Sequence, residues 1–230
     1  MAFRVNGDFK DNSLSFSVSD TITKKDLEEF YTDLRFQVCD LKPDFDVIGD
    51  FSQCNLIYLN SKGTLKSIMR YLVSKRIREK VRVVSDNLFS RQLKTITEEQ
   101  RIYEPTYVSS LEEAREHLNR PLRRNGLRIY LHEKMARFLV TGQERQGRVI
   151  CMSTSGCSME QESMQPLSGE QGILSIHLKS SESSWQYFKI PAEIVKADND
   201  SLNMKFLDLD EDQKNALWSC LLTEVDLRPH

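Results

Sequence analysis

The feature that most constrains this chain is a change of hydrophobic period partway along it. Up to residue 118, apolar residues recur at spacings of two and of three to four by turns. Beyond residue 126 they recur mostly at two. The stretch between them, HLNRPLRRNG (117–126), follows neither period and is built from Pro, Asn, Gly and arginines. One packed layer system cannot satisfy both patterns, so the chain reads as two domains, residues 1–118 and 119–230. A length of 230 residues gives each a core of its own.

In the first part, Leu14, Phe16 and Val18 alternate with serines, the mark of a half-buried strand. Thr23 followed by Asp26 has capping-box spacing, and the helix it opens carries Leu27, Phe30, Tyr31 and Leu34 on one stripe. FDVIGDF reads as a strand covered on both faces, and Leu65, Ile68, Met69 and Leu72 mark a second amphipathic helix. KVRVV predicts another strand; NLFSRQLKTI and SSLEEAREHL predict further helices. Strand and helix in short alternation imply an α/β sandwich. The basic run KRIREKVR (75–82) lacks interleaved aromatics and reads as a solvated face, with no DNA partner expected.

In the second part, RFLVTG, GRVICM and GILSIHLK read as strands, and DND joins WQYFKIPAEIVKA to SLNMKFLDL as a hairpin. Several strands of this kind predict a barrel. Asp210 and Gln213 then open a terminal helix with Leu217, Cys220 and Leu221 on one face, flanking or plugging that barrel.

Other chemistry leaves little trace. The net charge of −2 means that any polyanion site is local. Five cysteines with no C-x-x-C pair and four scattered histidines indicate neither a disulfide framework nor a metal site. There is no nucleophile elbow and no zinc-protease motif, and GQERQG (142–147) lacks the Lys-Ser/Thr of a phosphate loop, so no enzyme is expected. With no long apolar run and no leader-like N-terminus, the expectation is a cytoplasmic protein without a membrane partner.

Two segments carry positive signals. Arg124 and Arg128 stand as R-x-x-x-R, with Arg123 adjacent and Gly126 between them, a set of guanidinium forks suited to phosphate oxygens and guanine edges. About 25 residues later comes CMSTSG (151–156) on a predicted barrel strand. Together they resemble the PilZ domain, whose pattern is R-x-x-x-R followed by [D/N]-x-S-x-x-G; the resemblance covers about 121–222. It implies a bacterial signalling domain that binds cyclic di-GMP without turning it over. Arg124 and Arg128 take the arginine positions, Ser153 the serine and Gly156 the glycine. Cys151 stands where the family has Asp or Asn. A thiol accepts hydrogen bonds weakly, and losing a charge-assisted bond costs about 1.5–3 kcal/mol.

DVIGDFSQCNLIYLNSKGTLKSIMRYL, with KVRVVS and YVSSLEEAREHL, resembles a STAS domain, the fold of anti-sigma-factor antagonists, over about 10–118. This resemblance implies a protein partner and makes Ser61 a phosphorylation candidate, with Asn60 in place of the family's aspartate. Helix capping alone also selects serine at such a position. Two functions follow. In one, a cyclic di-GMP receptor orders its arginine segment on the ligand and signals through the STAS-like domain. In the other, an interaction module has lost nucleotide binding and is switched, if at all, at Ser61.

Overall fold

A computed structural model describes residues 3–100, 102–103, 105–120, 126–160, 168–198 and 200–226. The chain divides between Leu127 and Arg128 into two compact units.

The first unit runs β1 (Phe3–Asp8), β2 (Ser13–Ile22), α1 (Lys24–Val38), β3 (Phe45–Ile57), α2 (Lys62–Ser74), β4 (Ile77–Val83), α3 (Leu88–Gln100), β5 (Thr106–Val108) and α4 (Leu111–Asn119). Its sheet has the order β1-β2-β3-β4-β5, parallel except for the antiparallel edge strand β1. The alternation of β2 is as the sequence predicts: Leu14, Phe16 and Val18 are buried between half-buried serines. Phe16 packs edge-on against Phe30 of α1 and Phe51 of β3. The capping box of α1 is present in full, with Thr23 and Asp26 each accepting from the other's backbone N–H.

Helix α4 covers one face of the sheet, where Val81, Val83, Val108, Ala114 and Leu118 form a cluster. Strand alternation turns Lys80 and Arg82 to the opposite face, where Arg82 reaches Met69 of α2 and Thr97 of α3.

The basic run 75–82 is therefore not a solvated face. Arg76 grips Asp44 with both Nε (3.0 Å) and Nη2 (2.7 Å), and Arg78 grips Asp46 in the same way across β3 and β4. Lys80 and Arg82 are 4% and 1% exposed. Arg82 donates to the hydroxyls of Thr97 (2.6 Å) and Tyr107 (2.9 Å), and its guanidinium lies over the Tyr107 ring. The Lys80 ammonium stands over the rings of Phe16 and Tyr103. Charge content in the sequence was misleading here because hydroxyls and ring faces supplied by distant segments satisfy these groups inside the fold.

The second unit runs β6 (Ile129–Val140), β7 (Gln143–Met152), β8 (Gly156–Glu160), β9 (Gln171–Lys179), β10 (Trp185–Asp198), β11 (Ser201–Phe206) and α5 (Glu211–Asp226). Its strands close into a ring in the order β10-β11-β8-β7-β6-β9. The β6–β7 turn is Thr141-Gly142, both at positive φ (46° and 79°), the two-residue hairpin turn that matches strand twist. GQERQG thus belongs to a hairpin. Strand β6 starts well before the predicted RFLVTG, because an irregularity between Tyr130 and Lys134, with Glu133 at φ 54°, breaks the period that would have revealed it. Helix α5 packs on β6 and β9; its cap forms between Asp210 and Gln213, and Leu217, Cys220 and Leu221 are buried as predicted, along with Trp218 and Val225.

Burial, with help from the Arg82 charge, holds the Lys80 pKa well below the ordinary lysine value of 10.5. The unfolded chain therefore takes up this proton first, and Lys80 costs stability as pH falls from 10.5 toward neutrality. Lys80→Met should raise the urea midpoint at neutral pH, and its advantage over wild type should vanish above the ordinary lysine pKa.

Candidate functional site

Of the residues singled out in the second half of the sequence, Cys151, Ser153 and Gly156 lie on or between β7 and β8, and Arg128 immediately precedes β6. Tyr130 of β6 pairs with Cys151 of β7, Cys151 with Ser158 of β8, and Ser158 with Asn203 of β11. The adjacent rung is Ile129, Met152, Cys157 and Met204, all nearly fully buried. Successive residues of a strand point to opposite faces, so the Cys151 rung lies on the face away from that core. Arg128 immediately precedes β6 and Ser153 immediately follows β7, at the ends of the strands that the Ile129–Met152 rung joins. Arg128 is half-buried, and its charge is felt at Cys157, where it works against the burial that pushes that thiol far above its usual range.

Ser153 and Gly156 frame the β7–β8 turn. Ser153 N–H donates to Gly156 O at 2.8 Å, and its hydroxyl lies 3.1 Å from that of Ser155, accepts from Ser155 N–H at 3.2 Å and donates to Gly156 O at 3.2 Å. A Cβ at Gly156 would stand 2.3 Å from the carbonyl oxygen of Met204, closer than any contact tolerates. Both small residues thus have a structural task, independent of any ligand. Cys151 is 7% exposed. Arg123 and Arg124 lie outside the described residues.

The sequence reading did not single out Tyr130, Ser158 or Asn203, which share the face of Cys151. The only available signal was that they fall in register with it, and register across four strands is not written in local sequence. Asn203 is of particular interest because it places a side-chain amide on the rung where Cys151 replaces the expected carboxylate or amide.

Ser61 sits in the first unit, at the end of a 3-10 turn, Leu59–Ser61, that leads into α2. The residue is fully buried; its hydroxyl donates to Asn60 Oδ1 at 3.4 Å and makes no cap bond to α2. Capping is therefore not what this serine does: its backbone is helical (φ −82°, ψ −11°), whereas a capping residue is extended.

No disulfide joins the five cysteines, and Cys54, Cys151, Cys157 and Cys220 are buried, the packing expected of small hydrophobes. Burial pushes the Cys54 thiol up to about 12. Among the described residues no cluster of three or more His, Cys, Asp or Glu could hold a metal ion, and no helix is long and apolar enough to cross a membrane.

Because Gly156 is fixed by the Met204 carbonyl, Gly156→Ala should destabilise the barrel by about 2 kcal/mol in urea unfolding, with or without nucleotide.

No curated protein matches the chain. Among solved structures it is similar to the PilZ domain with c-di-GMP of YcgR from Escherichia coli, at 12% identity and TM-score 0.36, over 43% of this chain and 89% of that one. It is also similar to the anti-sigma factor antagonist SpoIIAA in its unphosphorylated form, at 11% identity and TM-score 0.39, over 53% of this chain and all of that one. A third likeness is to the Bacillus subtilis inhibitor of motility, MotI/DgrA, at 14% identity and TM-score 0.34, over 42% of this chain and 52% of that one. At these values the likenesses add nothing to the strand orders, which define each unit by themselves. The model of the PilZ domain family matches residues 122–223, the part of the chain that folds as a closed six-stranded ring with a terminal helix, and an α/β unit precedes it.

Proposed function

We propose that this chain is a non-enzymatic signalling protein of the bacterial cytoplasm, whose PilZ domain binds cyclic di-GMP and whose STAS-like unit passes the occupied state to a protein partner. Arg123, Arg124 and Arg128 would hold phosphates and guanines, and Cys151, Ser153 and Gly156 would line the face on which the ligand lies. The observation that carries this reading is the rung that joins Tyr130, Cys151, Ser158 and Asn203, with Arg128 and Ser153 just past the ends of the two strands at which it starts. A half-buried guanidinium at the start of a strand offers a bidentate donor for phosphate oxygens or a guanine edge. The thiol at 151 is the weak point of the site, and the Asn203 amide, one strand beyond Ser158, is the amide acceptor on the same rung.

The alternative, an interaction module without nucleotide, is favoured by one specific observation. Ser153 and Gly156 are already accounted for by the turn and by the Met204 carbonyl. A phosphate switch at Ser61 belongs to this alternative, and because the side chain is fully buried, a kinase reaches it only when the Leu59–Ser61 turn opens. Ser61→Asp should accordingly lower the thermal midpoint of the first unit, as burying an unpaired carboxylate does.

Isothermal calorimetry with cyclic di-GMP separates the readings. Saturable binding is expected for wild type. Arg128→Ala should weaken it at least about tenfold, and Cys151→Asn, which restores an amide acceptor without adding charge, should tighten it by roughly tenfold. Absence of binding by wild type together with a gain in Cys151→Asn would identify a lapsed site and leave the interaction module.

A further inference from the structure

The barrel carries a second face that nucleotide binding does not use. Strand register sets Leu139, Ile173 and Pro191 side by side on β6, β9 and β10, then Arg137, Ser175 and Lys189; His177 pairs with Tyr187 on the next row and Lys179 with Trp185 on the one after. The intervening Leu174, Ile176 and Leu178 are buried in the barrel, so these rows point outward. Their large side chains are open to solvent: Trp185 is 55% exposed, Tyr187 48% and Leu139 47%. An exposed aromatic and aliphatic surface continuous over three strands has the character of an interaction site.

Charge and ring geometry indicate its occupant. The ammonium groups of Lys134 and Lys179 stand 4.4 and 5.4 Å from the Trp185 ring centroid, and that of Lys189 stands 5.8 Å from the Tyr187 centroid. Carboxylates lie at the margins: Glu224 pairs with Lys134 at 2.7 Å and Glu144 with Arg137 at 3.5 Å, Glu193 is on the Gln171 row at one end, and Glu182 is in the β9–β10 turn at the other. Among the described residues no carboxylate pairs with the ammonium of Lys179 or Lys189, although Glu224 accepts from the Lys179 backbone N–H at 2.8 Å. These two ammonium groups, set among exposed apolar side chains, are what the face offers to acidic groups of a partner.

Single-stranded nucleic acid would bring acidic groups too, but it needs open ring faces on which bases can stack. Here two ammonium groups stand over the Trp185 ring, and Tyr187 is stacked on His177, with centroids 4.6 Å apart and planes at 30°. What remains accessible is ring edges, aliphatic side chains and ammonium groups. The closed ring also leaves no free edge on this face, which excludes strand addition. We propose that the outer face of β6, β9 and β10 docks a partner protein through a segment that combines carboxylates with apolar side chains. This site is separate from the Cys151 face and requires no nucleotide.

The two tryptophans make the test direct, because Trp185 is on the face and Trp218, 6% exposed, is in the core. In full-length ¹⁵N-labelled protein, their indole N–H resonances report the face and the integrity of the barrel separately. The probe is a short synthetic peptide with glutamates around a central Leu-Phe pair. The expected result is a saturable shift of the Trp185 resonance with Trp218 unmoved, and binding about tenfold weaker for the Lys179→Gln/Lys189→Gln variant and for a glutamine version of the peptide. A Trp185 resonance that ignores the peptide would overturn the proposal. So would a shift produced by oligothymidylate and not by the peptide, which would assign the face to nucleic acid. A dimer of the free protein that dissociates in the double lysine variant would give the face to a second copy instead.

Discussion

Closure of the six-stranded ring is the constraint on which the rest of the second unit depends. It requires neighbouring strands to approach more closely at certain points than a side chain permits. A Cβ at Gly172 of β9 would stand 2.2 Å from the Leu139 carbonyl of β6, and one at Gly156 of β8 would stand 2.3 Å from the Met204 carbonyl of β11. Once these contacts set the register, one rung collects Tyr130, Cys151, Ser158 and Asn203, and the other side of the ring collects Trp185, Tyr187 and Lys179. A slip of one residue would exchange core and surface on every strand. Both faces of the barrel are consequences of that one register.

The first unit meets a different constraint: its inner strand β4 carries more charge than a sandwiched strand ordinarily tolerates. Arg76 and Arg78 are neutralised by Asp44 and Asp46, which enter from the start of β3. Arg82 and Lys80 rely on hydroxyls and ring faces from α3, β2 and the segment around Tyr103 and Tyr107. Glu79, on the opposite face, is held by Thr106 and by His117 of α4. These pairings tie β4 to α3, α4 and β5 through specific side chains.

The candidate nucleotide site and the Ser61 turn show how one motif can serve two demands. Small residues at 153 and 156 fit a ligand lying on the sheet, and they also fit the turn and the close carbonyl of β11. Serine at 61 fits a phosphorylation motif and a helix start, yet its side chain is buried and caps nothing. A motif by itself does not separate structure from function.

The two periods, the helices, the caps at Thr23 and Asp210 and most of the strands are legible in the sequence. These depend on residues within a turn or two of each other, where propensity and side-chain spacing act directly. A family resemblance grouped Arg123, Arg124, Arg128, Cys151, Ser153 and Gly156 as a candidate site. The strands missed are β1, whose stability comes from pairing with β2, the short β5 and β8, and the start of β6, where an irregularity breaks the alternation. Only the tertiary structure decided which charges lie inside, which residues join Cys151 on its face, and that Trp185, Tyr187 and Lys179 share an exposed surface. Those outcomes depend on strand register and on partners tens of residues away, which local pattern does not encode.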